Sequence, residues 1–162
     1  MYFVTFVTER RRPWLAPPEG CAAVLGPLRR WHAEPSGTVL IAGVMPDHAH
    51  VLFELAAGFT VGQAVARWKS ETRKSLGYAH AFQRDFWEHR VRETEAIEDY
   101  GLYIFLNPYR AGLIRADQPW AGSWTPQPRL FGFTESLTAA GGPPQEWIDW
   151  PAERFAGLAH GE

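Results

Sequence analysis

One stretch constrains the fold more than any other: His48-Ala49-His50-Val51-Leu52-Phe53-Glu54-Leu55. Val51, Leu52, Phe53 and Leu55 place apolar side chains on both faces of an extended chain, which predicts a central strand covered on each side. Thr38–Met45, rich in Val, Leu and Ile, predicts its hairpin partner, and Pro46-Asp47 supplies the turn residues between them. The same strand carries a chemical signal. Side chains alternate at period 2, so His48 and His50 fall on one face, where two imidazoles can share a cation. Two strand histidines also occur by chance, so the pair needs partners elsewhere in the chain.

The remaining elements follow from periodicity and caps. Tyr2–Thr8, aromatic and β-branched, predicts a first strand, ended by a charged run and Pro13. Residues 18–32 carry a helical signal interrupted at Gly26-Pro27, which predicts one kinked helix or two short ones. Thr60 and Gln63 form a capping box, with Phe59 and Ala64 placed as a hydrophobic staple. The helix they open bears Val61, Ala64, Val65, Trp68, Thr72 and Leu76 on one face, and Trp68 on that stripe reads as a core residue. Phe86–Arg92 predicts a fourth strand. Acidic Glu93, Glu95, Glu98 and Asp99 suit the first turn of a last helix running to Asn107, where Pro108 disfavours helical geometry in the residue before it.

Beyond Arg115 the composition turns to Pro, Gly and Trp without periodicity. Residues 116–162 read as an extension that packs through Trp120, Trp124, Trp147 and Trp150, and residues 1–115 as the one domain. This division changes the meaning of the net charge. The 162 residues sum to -2, but residues 1–115 carry 14 basic and 12 acidic side chains and residues 116–162 carry 2 and 6. Residues 60–92 hold seven basic side chains against three acidic ones. With Arg10, Arg11 and Arg12 these form two basic patches, open to a phosphate backbone or to nothing more than solvent. Cys21 is the single cysteine, which excludes an intrachain disulfide and a cysteine-built zinc cluster and fits a reducing cytoplasm. No apolar run approaches the roughly 20 residues of a membrane span, and the first residues put apolar before charged, the reverse of a signal peptide. A soluble, cytoplasmic protein is the expectation.

Tyr103 and Asn107, at i and i+4 on the last helix, share a face. A phenol is a covalent nucleophile toward phosphorus when a cation polarises the phosphate oxygen and favours the phenolate. Singly, each has a plain reading: a core tyrosine and a helix-end asparagine. Their co-occurrence with a paired-histidine strand and two basic patches favours chemistry.

At these residues the chain resembles a family. Met45-Pro46-Asp47-His48-Ala49-His50-Val51 resembles the MPDHxH strand of the IS200-like transposases, members of the HUH single-strand endonucleases. Phe86-Trp87, then Tyr103-Ile104-Phe105-Leu106-Asn107-Pro108 and Ala111-Gly112-Leu113, is similar to the pattern of the REP-associated tyrosine transposases, as is Tyr2–Pro13 to their first strand. The resemblance spans about residues 1–115. It implies an α+β, ferredoxin-like (RRM-like) antiparallel sheet with helices packed on it. It implies that His48, His50 and Asn107 hold a divalent ion, Mg or Mn, although the wider family carries Gln where Asn107 stands, and that Tyr103 is the nucleophile. The activity implied is single-stranded DNA cleavage and strand transfer through a 5′-phosphotyrosine, on hairpin DNA formed by palindromic repeats. Arg11, Arg12, Lys69, Arg73 and Lys74 would hold the strand, in a monomer or homodimer.

Two rivals stay open at this level. Gly43, His48, His50, Glu54 and Gly58 approximate a cupin metal motif, though the Gly43–His48 interval is one residue short and two strong helices do not suit a jelly roll. A noncatalytic or domesticated RRM-like nucleic-acid binding module would keep the sheet and dispense with Tyr103.

Overall fold

The structure is a computed structural model that describes residues 1–158. Strands β1 (Tyr2–Val7), β2 (Gly37–Val44), β3 (His48–Leu55), β4 (Trp87–Arg90) and β5 (Ser123–Trp124) alternate with helices α1 (Pro18–Ala33), α2 (Val61–Ser75) and α3 (Ile97–Arg110). They form one antiparallel sheet in the order β4-β1-β3-β2-β5. β3 lies between β1 and β2, and β1 between β3 and β4, so the first four strands interleave two split βαβ units in the ferredoxin-like manner. The expected α+β sheet with packed helices is present, and β3 is central. Its residues His48–Phe53 are all buried.

Each face of β3 meets a different layer. Val51 and Phe53 join Val4 and Phe6 of β1 under α1 and α2, against Leu28, Trp31, Val65 and Trp68. Trp68 is fully buried, edge-on to Trp31 at 5.5 Å and to Phe53 at 4.9 Å, so the apolar stripe of α2 is core as its spacing predicts. The capping box is present, with Gln63 N–H donating to Thr60 Oγ1 and Thr60 N–H to Gln63 Oε1. On the other face Leu52, with Phe3 of β1 and Leu40 and Ile41 of β2, packs against Tyr100, Ile104 and Leu106 of α3. His48 and His50 alternate in phase with Leu52 and share this second face.

α1 is a single helix that carries Pro27 inside it, the first of the two forms expected, whereas α3 differs from its expected bounds at both ends. α3 begins at Ile97 rather than Glu93, because Glu95 is engaged before the helix starts. Its carboxylate accepts the Arg92 N–H at 2.6 Å, the Tyr100 hydroxyl at 3.0 Å and a hydrogen bond from His89 at 2.9 Å. α3 also continues through Pro108 to Arg110. The proline nitrogen cannot donate to the Ile104 carbonyl, but Leu106 and Tyr109 are buried on either side of it and hold the final turn.

The extension after Arg115 packs on the same core. Val44 N–H donates to Gly122 O at 2.9 Å and the Trp120 indole N–H to Val44 O at 2.8 Å, which seats β5 beside β2. Farther on, the Glu98 carboxylate accepts the N–H groups of Gly132 and Phe133, at 3.0 and 2.7 Å. Phe131 lies against bare backbone at Gly101, where a Cβ would come within 2.5 Å of its ring. Trp120, Trp124, Trp147 and Trp150 pack as anticipated, together with Phe131, Phe133 and Phe155.

Candidate active site

β3 presents His48 and His50 to α3, and both are fixed from behind. The His48 Nδ1 lies 2.6 Å from Asp47 Oδ1. A carboxylate only accepts, so this nitrogen carries the proton and Nε2 is the lone-pair end of the neutral ring. The His50 Nδ1 lies 2.8 Å from Thr5 Oγ1 on β1, while its Nε2 accepts from Asn107 Nδ2 on α3 at 3.0 Å. The two Nε2 atoms are 3.1 Å apart. That spacing lets the two nitrogens share a proton or a metal cation.

These residues fit a divalent ion on that ground. Two nitrogens each ~2.1 Å from a common ion and at right angles sit about 3.0 Å apart, close to the spacing present. Rotating the Asn107 amide by half a turn exchanges Nδ2 for Oδ1 at the same point and supplies the third donor. Among the described residues no group of three His, Cys, Asp or Glu side chains could hold a metal, so the amide is the further protein donor these two histidines have beside them. Asp47 is held below the usual carboxylate range: burial opposes ionisation, but hydrogen bonds from His48 and Arg11 outweigh it.

Tyr103 sits over this cluster. Its ring centroid is 5.3 Å from that of His50 and 6.0 Å from that of Phe3, and Phe155 from the extension packs at 5.9 Å on it, leaving Tyr103 6% exposed. Gly43 brings the helix this close. It pairs with His50 across the ladder, and a Cβ there would meet Ile104 Cγ2 at 2.9 Å and Ile104 O at 3.0 Å. The other tyrosines of α3 are engaged elsewhere. Tyr100 donates to Glu95 and Tyr109 to Gln118 O at 2.9 Å, and burial pushes both phenols up, for Tyr100 with the Glu95 hydrogen bond added.

The basic candidates divide. Arg12 and Lys74 are exposed. Lys69 reaches back to the carbonyls of Gln83, Arg84 and Asp85 at 2.9, 3.3 and 3.0 Å, and burial pushes its ammonium down to about 8. Arg73 donates to His80 O at 2.9 Å and lies over the Tyr78 ring, while Arg11 pairs with Asp47 at 3.2 Å. Two residues that the sequence pattern does not single out touch the histidines here: Asp47, in the β2–β3 turn, and Thr5, inside the first strand. Only the adjacency of Asp47 to His48 signals its role. The cupin alternative is excluded by the helix-covered open sheet and by Glu54, which is exposed.

A ferredoxin-like sheet with paired histidines on its central strand, beneath a helix carrying tyrosine and asparagine, is the class that fold and geometry define. No family model matches the chain. Over 80 residues it is 29% identical to the REP-associated tyrosine transposase of Escherichia coli strain K12, covering 48% of this chain and 47% of that one. Over 101 residues it is 25% identical to a Haemophilus influenzae protein that carries the same name provisionally, covering 53% and 57%. The chain thus matches about half the length of these curated relatives. Among solved structures it is similar to a REP-associated tyrosine transposase bound to a REP hairpin, with a TM-score of 0.65 and 23% identity over 93% of this chain and 84% of that one. The family resemblance carried by the motifs is borne out in the sequence relatives, and the fold agrees with it.

Proposed function

We propose that this chain is a metal-dependent, tyrosine-nucleophile DNA strand transferase that acts on single-stranded or hairpin DNA. The observation that carries the proposal is the placement of Tyr103 against His50, with the His48, His50 and Asn107 side-chain nitrogens converging to about 3 Å. Two relatives named as tyrosine transposases and a fold neighbour bound to a REP hairpin support it.

His48, His50 and Asn107 would hold the ion, which would supply charge stabilisation on the nonbridging phosphate oxygens. The chain's own groups do the rest. α3, seated on Gly43, aims the Tyr103 phenol; Asp47 and Thr5 keep the imidazole nitrogens pointed inward. Tyr103 Oη bonds to phosphorus and loses its proton as the P–O3′ bond breaks and the departing 3′ oxygen gains one. The product is a 5′-phosphotyrosine with a free 3′-hydroxyl. One phosphoester replaces another, so a 3′-hydroxyl can reverse or redirect the joint without an energy source. Exposed Arg12 and Lys74 suit phosphate contacts.

The test is a denaturing gel of labelled hairpin DNA incubated with the protein and manganese. A covalent adduct that needs the metal and disappears in Tyr103→Phe supports the proposal. Binding without adduct across many hairpins supports the noncatalytic module.

A further inference from the structure

The turn after β1 is strained at two consecutive residues. Arg10 and Arg11 have φ of 55° and 52°, a region in which an L side chain is crowded. The surroundings hold it there. Thr8 Oγ1 donates to Arg12 O at 2.8 Å, Glu9 N–H to Ala81 O at 2.8 Å, and Thr8 N–H to the backbone oxygen of Asp47 at 2.8 Å. The conformation brings Arg11 Nη1 to Asp47 Oδ2 at 3.2 Å, while Asp47 Oδ1 accepts from His48 Nδ1 at 2.6 Å.

We infer that Asp47, steadied by Arg11, is a positioning residue for the centre formed by His48, His50 and Asn107. The inference deepens the proposed function and rests on its reading of His48 as a ligand. A carboxylate cannot donate, so it holds His48 in the Nδ1–H form and stops the ring from turning. Nε2, the end that faces His50 Nε2 at 3.1 Å, is left with its lone pair inward. The bond also makes Nε2 a stronger donor. Arg11 engages the other carboxylate oxygen, which keeps Oδ1 from swinging toward solvent, where 22% of the Asp47 side chain is exposed. On this account Arg11 serves the ligand set, which explains why the chain tolerates a left-handed arginine at that position. The Arg-rich turn is then part of the site's frame as well as a source of charge.

The experiment measures manganese binding to the whole chain by the electron paramagnetic resonance signal of the free ion, and the His48 tautomer by 15N NMR of the metal-free protein. Asp47→Ala should weaken manganese binding about 10- to 100-fold and move His48 toward the Nε2–H form. Arg11→Ala should do both to a smaller degree. Asp47→Asn keeps an acceptor oxygen without charge, so it should fall between wild type and Asp47→Ala; it decides the matter if Asp47→Ala does not fold. Manganese affinity and tautomer unchanged in Asp47→Ala, or in Asp47→Asn if that variant alone folds, would overturn the inference while leaving the metal reading intact. A wild-type chain that takes up no manganese overturns both, and a wild-type His48 found in the Nε2–H form overturns the inference by itself.

Discussion

Gly43→Ala is a one-methyl perturbation whose effect can be worked from the packing of α3 on β2. The added Cβ would lie 2.9 Å from Ile104 Cγ2 and 3.0 Å from Ile104 O, whereas ordinary contact begins at 3.4 Å. Relief requires a retreat of about 0.4–0.5 Å, and neither partner yields easily: one is backbone, the other a β-branched methyl with a stiff χ1. Overpacking of this kind costs about 1–3 kcal/mol, which at this chain length is a loss of roughly 2–4 °C in Tm per kcal/mol. The functional cost comes through Tyr103, the residue before Ile104. If misplacement by 1 Å costs on the order of 100-fold in rate, half that displacement costs about tenfold. Thermal denaturation and single-turnover cleavage of a labelled hairpin measure the two effects. Gly62→Ala is the control, because a Cβ at Gly62 meets nothing within 4 Å and its stability should hold or rise. Wild-type Tm and cleavage rate in Gly43→Ala would refute the claim that the glycine sets the distance between α3 and the histidines.

Further outcomes follow from the charged groups. Lys69→Met should destabilise the chain by about 1–3 kcal/mol, the scale of a lost charged hydrogen-bond set, without changing the salt dependence of hairpin binding. Arg12→Ala or Lys74→Ala should instead lower the slope of log affinity against log salt by about 0.9 each, if each contacts a phosphate. On the acid side, Glu34, Glu71 and Glu95 are all held below their ordinary value of 4.5: Glu34 chiefly by Arg67, Glu71 by Arg67 and Arg30 against burial, and Glu95 chiefly by the Arg92 N–H. A depressed carboxylate contributes stability that is full above its unfolded value and lost as pH falls through its folded one. Tm should therefore drop as pH falls from 4.5, and Glu71→Gln should flatten that drop; a Tm independent of pH in this range would show that these pairs contribute nothing.

Much of the fold was legible because it is written locally. The β3 run is apolar on both faces, and the Thr60–Gln63 box marks the start of α2 to the residue. Both ends of α3 depart from the local sequence pattern for tertiary reasons. Glu95 belongs to a hub of Arg92, His89 and Tyr100 that no helical rule anticipates, and the last turn survives Pro108 because buried side chains flank it. The extension was opaque for the same reason. Phe131 in the notch at Gly101, and two amides on Glu98, anchor it through partners about 30 residues distant, so it leaves no periodic trace. At the site, the candidate ligands and nucleophile were visible as residue types at fixed spacing. Their supports were not, since Thr5 reaches His50 across β1–β3 and Arg11 reaches Asp47 only through a left-handed turn.

The central claim is that Tyr103, among the tyrosines of α3, becomes bonded to DNA. Cleavage after Arg92 and Arg110 would release Glu93–Arg110, a peptide that holds Tyr100, Tyr103 and Tyr109 together. Fragmentation of that peptide by mass spectrometry, after reaction with hairpin DNA and manganese and nuclease trimming, locates the residual nucleotide. The nucleotide is expected on Tyr103 alone; a nucleotide on Tyr100 or Tyr109, or an adduct that maps outside this peptide, would contradict the role of Tyr103 as nucleophile.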